Sequence, residues 1–103
     1  MSQRTMHILH ECIPVFSMLQ DESRQQILML LFDCKQMTVS EITDNLELSR
    51  PAVSHHLKLL LDAKLVTVKK NGKERWYSLN LQSAIIQLKE LLLSIENDIK
   101  NDA

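Results

Sequence analysis

Two signals for the start of a helix lie close together in the middle of the chain, at Thr38 and Ser49. Thr38 is followed three residues later by Glu41, so the hydroxyl and the carboxylate can each satisfy a free backbone N–H group of the helix end. Ser49 is followed two residues later by Pro51, which is favoured in a first helical turn because no N–H is needed there. Two short helices so close together predict a helix-turn-helix over residues 38–62.

A hairpin signal follows this helix pair. The dipeptide Asn71-Gly72 favours a type I′ turn, which needs positive φ at both residues. β-branched and aromatic residues flank the dipeptide on both sides, as in strands. The pattern predicts a two-stranded hairpin, the wing, over residues 65–80. We therefore expect a mostly α-helical winged helix-turn-helix with a small β-hairpin, formed by residues 1–103 as a single domain.

The part of the chain before the helix-turn-helix predicts two further helices. Pro14 lacks a backbone N–H, so the first helix should kink or restart near residue 13. Asp21 can cap a second helix, whose broad apolar face should end near Asp33. This apolar face includes Phe32 and is expected to pack in the core.

The two terminal helices, over residues 4–20 and 81–100, are expected to join two copies of the chain. In the last helix, apolar residues recur at steps of four and three, the 3.5-residue period of a helix that packs along a partner helix. A chain this short has a modest core of its own, so a homodimer explains the surplus of apolar residues. The expected dimerisation residues are Ile8, Cys12, Leu81, Ile85, Leu88, Leu92, Ile95 and Ile99.

Charge is unevenly distributed along the chain. The formal net charge is -1, yet residues 49–77 hold seven Lys and Arg against two acidic residues, a net charge of +5. A basic segment in an otherwise acidic chain indicates contact with an anion such as DNA. No apolar stretch is long enough to span a bilayer, and the first residues lack a signal-peptide core. We therefore expect a cytoplasmic protein with no membrane partner.

The predicted fourth helix and the wing carry the groups that bind double-stranded DNA. Arg pairs with guanine, Ser and His bond to base edges or phosphates, and Ala allows close approach. Lysines around a tight turn suit phosphate contacts. A winged-helix module that binds an acidic protein remains the alternative of another class. The expected DNA-binding residues are Thr38, Ser40, Ser49, Arg50, Ala52, Ser54, His55, Lys58, Lys69, Lys70, Asn71, Lys73 and Arg75.

Four stretches between residues 16 and 80 carry a more specific pattern: Phe16-x-x-Leu19-x-Asp21-x-x-Arg24-x-x-Ile27-Leu28, Glu41-Ile42-x-x-x-Leu46-x-Leu48-Ser49, Val53-Ser54-His55-His56-Leu57-Lys58-x-Leu60, and Leu65-Val66 through Gly72-Lys73 to Trp76-Tyr77-Ser78-Leu79-Asn80. Together they resemble the ArsR/SmtB family of winged-helix repressors. The resemblance implies a dimer held by its first and last helices. It also implies release from the operator on metal binding or thiol oxidation, with Arg50, Ser54 and His55 facing DNA.

The same resemblance implies where a metal sensor would lie. The family's Cys-x-Cys pair at the start of the third helix is replaced here by Thr38 and Ser40. The family's second site needs His on the terminal helix, and residues 81–100 contain none. We therefore expect no cofactor at either usual site.

Two weaker sensor candidates remain open. His7, His10 and Glu11 share one helical face and could hold a zinc or nickel ion if another ligand joined them. Cys12 and Cys34 could act as a redox pair, although cytosolic thiols normally stay reduced. A solvated helix face and two structural thiols are the simpler interpretations. The sequence has no phosphate-binding loop, nucleophile elbow or zinc-protease motif, so we expect no enzyme.

Overall fold

The computed structural model of the protein describes residues 1–102. Over these residues the chain forms five helices and three short strands. The helices are α1 (Gln3–Leu19), α2 (Glu22–Cys34), α3 (Val39–Asp44), α4 (Arg50–Asp62) and α5 (Gln82–Asp102). The strands are β1 (Gln36–Thr38), β2 (Val66–Asn71) and β3 (Glu74–Leu79). The mostly helical fold with a small sheet is therefore confirmed.

The predicted capping residues begin the three central helices. The Asp21 side chain accepts a hydrogen bond from a backbone N–H in the first turn of α2, and Ser49 does the same for α4. At α3, the Thr38 hydroxyl accepts from the Glu41 backbone N–H at 3.2 Å, while Glu41 Oε1 accepts from the Thr38 N–H at 3.0 Å. The reciprocal capping box predicted from the sequence is thus formed.

Helix α1 runs without interruption through Pro14, so the predicted fresh start near residue 13 is wrong. An interior proline costs a helix about 3 kcal/mol. Tertiary packing offsets that cost, because Ile8, Cys12 and Val15 are all buried along one side of α1. Phe32 on α2 also differs from expectation, since its side chain is 65% exposed rather than part of the core.

Helix α4 ends in a Schellman motif that lacks the usual glycine. Lys64 takes a positive φ of 63° and donates its N–H to the Leu61 carbonyl at 2.9 Å. The next N–H, of Leu65, returns to the Leu60 carbonyl at 3.0 Å. This ending turns the chain sharply and places Leu65, which is buried, at the start of the wing.

The sheet has three antiparallel strands in the order β1-β3-β2, so the predicted two-stranded hairpin was incomplete. The added strand β1 pairs Met37 with Tyr77 and Thr38 with Trp76. Three residues are too few to show an alternating pattern. This strand exists because β3 offers an open edge beside the start of α3.

The tip of the wing lies one residue later than predicted. Asn71 and Glu74 are the last paired residues, so the two-residue loop is Gly72-Lys73. Gly72 has a φ of 64°, whereas Asn71 and Lys73 are not among the residues with positive φ. A type I′ turn at Asn71-Gly72 is therefore wrong. Glycine at the first loop position fits a type II′ turn.

Two apolar clusters hold the elements together. The larger cluster lies between α2, α3, α4 and the sheet and includes Ile27, Leu31, Ile42, Val53, Leu57 and Leu60. The smaller cluster joins α1 to α5 through Ile8, Cys12 and Leu91. We call these two helices the α1–α5 pair. Within residues 1–102, no helix is long and apolar enough to cross a membrane.

The residues predicted for dimerisation occupy three environments. Ile8 and Cys12 are buried inside the chain, against Leu91 of α5. The partly buried residues are Leu81, Leu88 and Ile95. The exposed residues are Ile85, Leu92 and Ile99, at 47%, 61% and 64% exposure. The stripe therefore faces α1 on one side and solvent on the other.

Candidate nucleic-acid interface

Helix α4 has a buried apolar side and an exposed polar side. Val53, Leu57 and Leu60 are completely buried in the larger cluster. Ser54, His55 and Lys58 are exposed, and the 100° step per residue separates the two sets around the helix axis. This is the arrangement needed to place a helix in a DNA groove while its other side stays attached to the domain.

The first turn of α4 lies close to both α3 and the wing. Arg50 donates from Nη1 to the Ser40 hydroxyl of α3 at 2.9 Å. Both side chains line a cleft of about 180 Å³ whose other wall includes Lys73 and Arg75 of the wing. The structure thus brings together predicted DNA-binding residues from α3, α4 and the wing.

The wing presents exposed positive charge. Lys70 and Arg75 are direct cross-strand partners, and both side chains are exposed. Like charges directly opposite each other destabilise a sheet, so a bound anion would relieve their repulsion. Lys69 pairs with Trp76 on the other face of the hairpin. Asn71 and Lys73 complete the exposed tip.

Three of the predicted DNA-binding residues are buried, partly buried or already hydrogen-bonded within the chain. Thr38 is buried, and its hydroxyl caps α3. The Ser49 hydroxyl accepts from the Ala52 N–H at 3.3 Å, and Ala52 itself is partly buried. His56, the residue after His55, is also partly buried and lies against Arg24 of α2. The contact of Arg24 with His56 was not predicted from the sequence, where only the Asp21-x-x-Arg24 spacing places Arg24 in the first turn of α2.

The first sensor candidate is an open helix face. His7 Nε2 lies 2.8 Å from Glu11 Oε1, and both side chains are largely exposed. His10 is exposed as well. Among the described residues, no group of three or more His, Cys, Asp or Glu side chains is placed to hold a metal ion. None of the described residues supplies the additional ligand that this face would need.

The two cysteines lie in different surroundings. Cys12 is completely buried in the smaller cluster. Burial raises the pKa of its thiol, and the negative charges of Glu11 and Glu90 raise that pKa further. Cys34 is exposed at the end of α2. Because the thiolate is the reactive form, Cys12 is poorly suited to redox sensing.

A buried helix-turn-helix core, an exposed polar recognition helix and a basic antiparallel wing together define a winged helix-turn-helix DNA-binding protein. The family model for "Bacterial regulatory protein, arsR family" matches residues 21–68. The chain is 39% identical over 70 residues to an arsenical resistance operon repressor of Staphylococcus aureus, covering 68% of this chain and 66% of the repressor. It is 33% identical over 88 residues to the transcriptional repressor SdpR of Bacillus subtilis (strain 168), covering 82% of this chain and 97% of that protein.

A solved structure is similar over most of the chain. The ArsR-like transcriptional regulator from Rhodococcus sp. RHA1 superimposes with a TM-score of 0.76 at 28% identity, covering 90% of this chain and 84% of that chain. The chain belongs to the arsR family of bacterial regulatory proteins. It is therefore a DNA-binding transcriptional regulator and not an enzyme, and the resemblance inferred from the sequence is confirmed.

Proposed function

We propose that this protein is a transcriptional repressor that binds a pseudo-palindromic operator as a homodimer in the cytoplasm, with residues 1–103 acting as one winged-helix domain. One observation carries the proposal. The exposed polar side of α4 continues through Arg50 and Ser40 into the basic wing. Together they form one polar and basic surface, as duplex DNA requires.

Different residues of this surface contact different parts of DNA. Arg50 and His55 project from the first two turns of α4, where they meet base edges if the helix enters the major groove. Ser54 and Lys58 flank them on the exposed side. The wing residues Lys69, Lys70, Lys73 and Arg75, with Asn71, contact phosphates or the adjacent minor groove. Thr38, Ser40, Ser49 and Ala52 shape the approach at the start of α3 and α4.

The dimer forms on the outer side of α5. Ile85, Leu92 and Ile99 are spaced seven residues apart and are exposed, which is the repeat of helices that pack along one another. An apolar groove of about 260 Å³ between α1, α2 and α5 adjoins Ile85 and includes Phe32. An apolar surface of this extent is characteristic of a protein interface. The partner α5 helix covers it in the proposed dimer.

Operator affinity tests the DNA-binding surface directly. Arg50→Ala and His55→Ala should each weaken binding to the operator about tenfold or more and relax its sequence preference, because a good base contact contributes about 1–3 kcal/mol. Lys100→Ala removes one exposed positive charge away from the proposed DNA-binding surface and serves as the control. Gel shifts against the promoter upstream of the gene, with a scrambled competitor, supply the measurement. Unchanged affinity and preference in both variants would exclude α4 as the recognition helix and favour a module that binds an acidic protein.

Effector control is tested on the same complex. We propose that neither usual metal site of the family operates, since Thr38 and Ser40 supply hydroxyls where thiolates would be needed. Zinc, nickel, cadmium, arsenite and peroxide should then leave the operator complex intact. Release by zinc or nickel that His7→Ala abolishes would assign the sensor to His7, His10 and Glu11. Release by peroxide that Cys34→Ser abolishes would assign it to the Cys12 and Cys34 thiols.

A further inference from the structure

The last turn of α1 is held by side chains of α2. The terminal carbonyls of a helix have no partner within it and carry a partial negative charge. Arg24 Nε donates to the Met18 carbonyl and Nη2 to the Ser17 carbonyl, each at 3.1 Å. Gln25 Nε2 donates to the Leu19 carbonyl at 2.6 Å. A guanidinium from the next helix thus takes the place of a basic residue, which α1 lacks in its own last turn.

The same guanidinium also reaches the recognition helix. Arg24 Nη1 lies 3.5 Å from Nδ1 of His56 on α4. Because guanidinium groups only donate hydrogen bonds, the His56 ring must accept at Nδ1 in this contact. One side chain of α2 therefore contacts both the end of α1 and the middle of α4.

The junction carries a carboxylate as well. Asp21 accepts from the Arg24 backbone N–H at 2.9 Å. That hydrogen bond lowers the Asp21 pKa, and the nearby charge of Arg24 lowers it further. Asp21, Arg24 and His56 thus form a polar cluster where α1 ends, α2 begins and α4 passes. The apolar packing of α4 lies on its buried side, so this cluster is a separate attachment at the flank of the helix.

We propose that Arg24 is a positioning residue that sets the direction of α4 relative to the α1–α5 pair, acting through His56. The inference rests on the proposed function, in which α4 recognises DNA and α5 joins the two copies. In such a dimer, the distance between the two α4 helices must match half-sites about 34 Å apart. A contact that ties α4 to the end of α1 controls that distance without touching DNA.

Operator fragments with altered half-site spacing test this role. The wild-type protein should prefer one spacing over fragments lengthened or shortened by one or two base pairs. Arg24→Lys keeps the positive charge but loses the planar guanidinium group, which can donate to several acceptors at once. His56→Ala removes the acceptor on α4. The spacing preference is the ratio of the affinities for the preferred and the altered spacing. Each variant should reduce this ratio about tenfold, because residues in contact are coupled by free energies of about that size. Affinity for non-specific DNA and its salt dependence should not change.

The double variant and a conservative variant separate positioning from a purely structural role. Arg24→Lys combined with His56→Ala should lose no more spacing preference than either single variant. His56→Gln keeps an acceptor and should retain most of the preference. Additive losses, or wild-type spacing preference in His56→Ala, would overturn the inference. His56→Ala leaves every Arg24 contact with α1 in place, so it provides the test even if Arg24→Lys fails to fold.

Arg50→Ala, measured in parallel, separates this inference from the proposed function. If Arg50→Ala and His55→Ala both retain the wild-type affinity and sequence preference, α4 is not the recognition helix and both proposals fail. If Arg50→Ala loses sequence preference while His56→Ala keeps its spacing preference, only the role of Arg24 fails.

Discussion

Helices α4 and α5 are both amphipathic, but they complete their packing differently. On the apolar side of α4, Val53, Leu57 and Leu60 are completely buried in the chain, and its exposed polar residues include Ser54, His55 and Lys58. Helix α5 buries Leu91 against α1 and still exposes Leu92 and Ile99. Helix α4 therefore packs its apolar side within the chain and presents a polar surface to solvent. Helix α5 still exposes apolar surface that suits a protein partner.

The largest effect is expected from a charge placed on the exposed stripe of α5. Leu92→Asp should leave the protomer folded, because Leu92 is 61% exposed, but should separate the copies. Losing the second half-site should weaken operator binding about 100-fold or more. Sedimentation and gel shift measure the two consequences. Asn97→Asp adds the same charge at an exposed polar position of α5 and should change neither; an intact Leu92→Asp dimer would break the contrast between the two helices.

A smaller effect is expected at the wing, which shares the polar character of α4. Replacing Lys70 and Lys73 together by Ala should weaken binding to all sequences alike, because phosphate contacts carry no sequence information. The slope of log affinity against log salt should flatten by about 3.6 for the dimer, which is about 0.9 for each of its four lost contacts. Binding titrations at several salt concentrations give this slope. The control is the pair Lys64→Ala and Lys100→Ala, at exposed positions outside the proposed DNA-binding surface. An unaltered slope in the wing variant would remove the wing from the interface.

A smaller effect, on stability, is expected at Thr38, which ends β1 and caps α3. Thr38→Ala removes the hydroxyl of the capping box and should lower the free energy of unfolding by about 1 kcal/mol. For a domain of this size that is a fall in Tm of about 4–8 °C. Thermal melting by circular dichroism measures it. Thr67→Ala, at an exposed position of β2, is the comparison, and an equal loss there would argue against the cap.

The smallest effect is expected at the polar contact inside the α1–α5 pair. The Asp98 carboxylate accepts from the Ser2 backbone N–H at 2.9 Å and the Thr5 hydroxyl at 2.7 Å. These hydrogen bonds, that of Ser2 first, hold the pKa of Asp98 below its ordinary value of 3.8. The resulting stabilisation is present above pH 3.8 and disappears as the pH falls through the lower pKa of the folded state.

Melting curves of the wild type and Asp98→Asn, recorded from neutral pH to about pH 2, test this contribution. Asp98→Asn cannot titrate at this position, so its stability should fall less steeply in acid than that of the wild type. Other carboxylates titrate in both proteins and cancel in the difference. A difference in Tm that stays constant over the whole range would contradict the predicted direction.

Local features were predictable because their signals lie within a few residues. Asp21, Thr38 and Ser49 cap the predicted helices, since each hydroxyl or carboxylate needs only a backbone N–H three residues away. The exposed polar side of α4 followed from its 100° periodicity. The tip of the wing was misplaced by one residue, because Asn71-Gly72 favours a turn locally while the pairing of β2 with β3 sets the register.

Contacts between distant segments required the tertiary structure. Strand β1 is paired with residues about forty positions away. The burial of Ile8 and Cys12 against Leu91, and the reach of Arg24 to both α1 and α4, likewise join segments far apart in sequence.

The helix-turn-helix, the wing and the chemistry of the proposed DNA-binding surface could be predicted from the sequence, because periodicity, capping and charge are properties of neighbouring residues. Which part of the α5 stripe packs within the chain and which part is left exposed became clear only from the fold. A repeat of 3.5 residues indicates that a helix packs along another helix, but it does not show whether that helix is α1 or belongs to a second copy. That choice depends on how the rest of the chain packs.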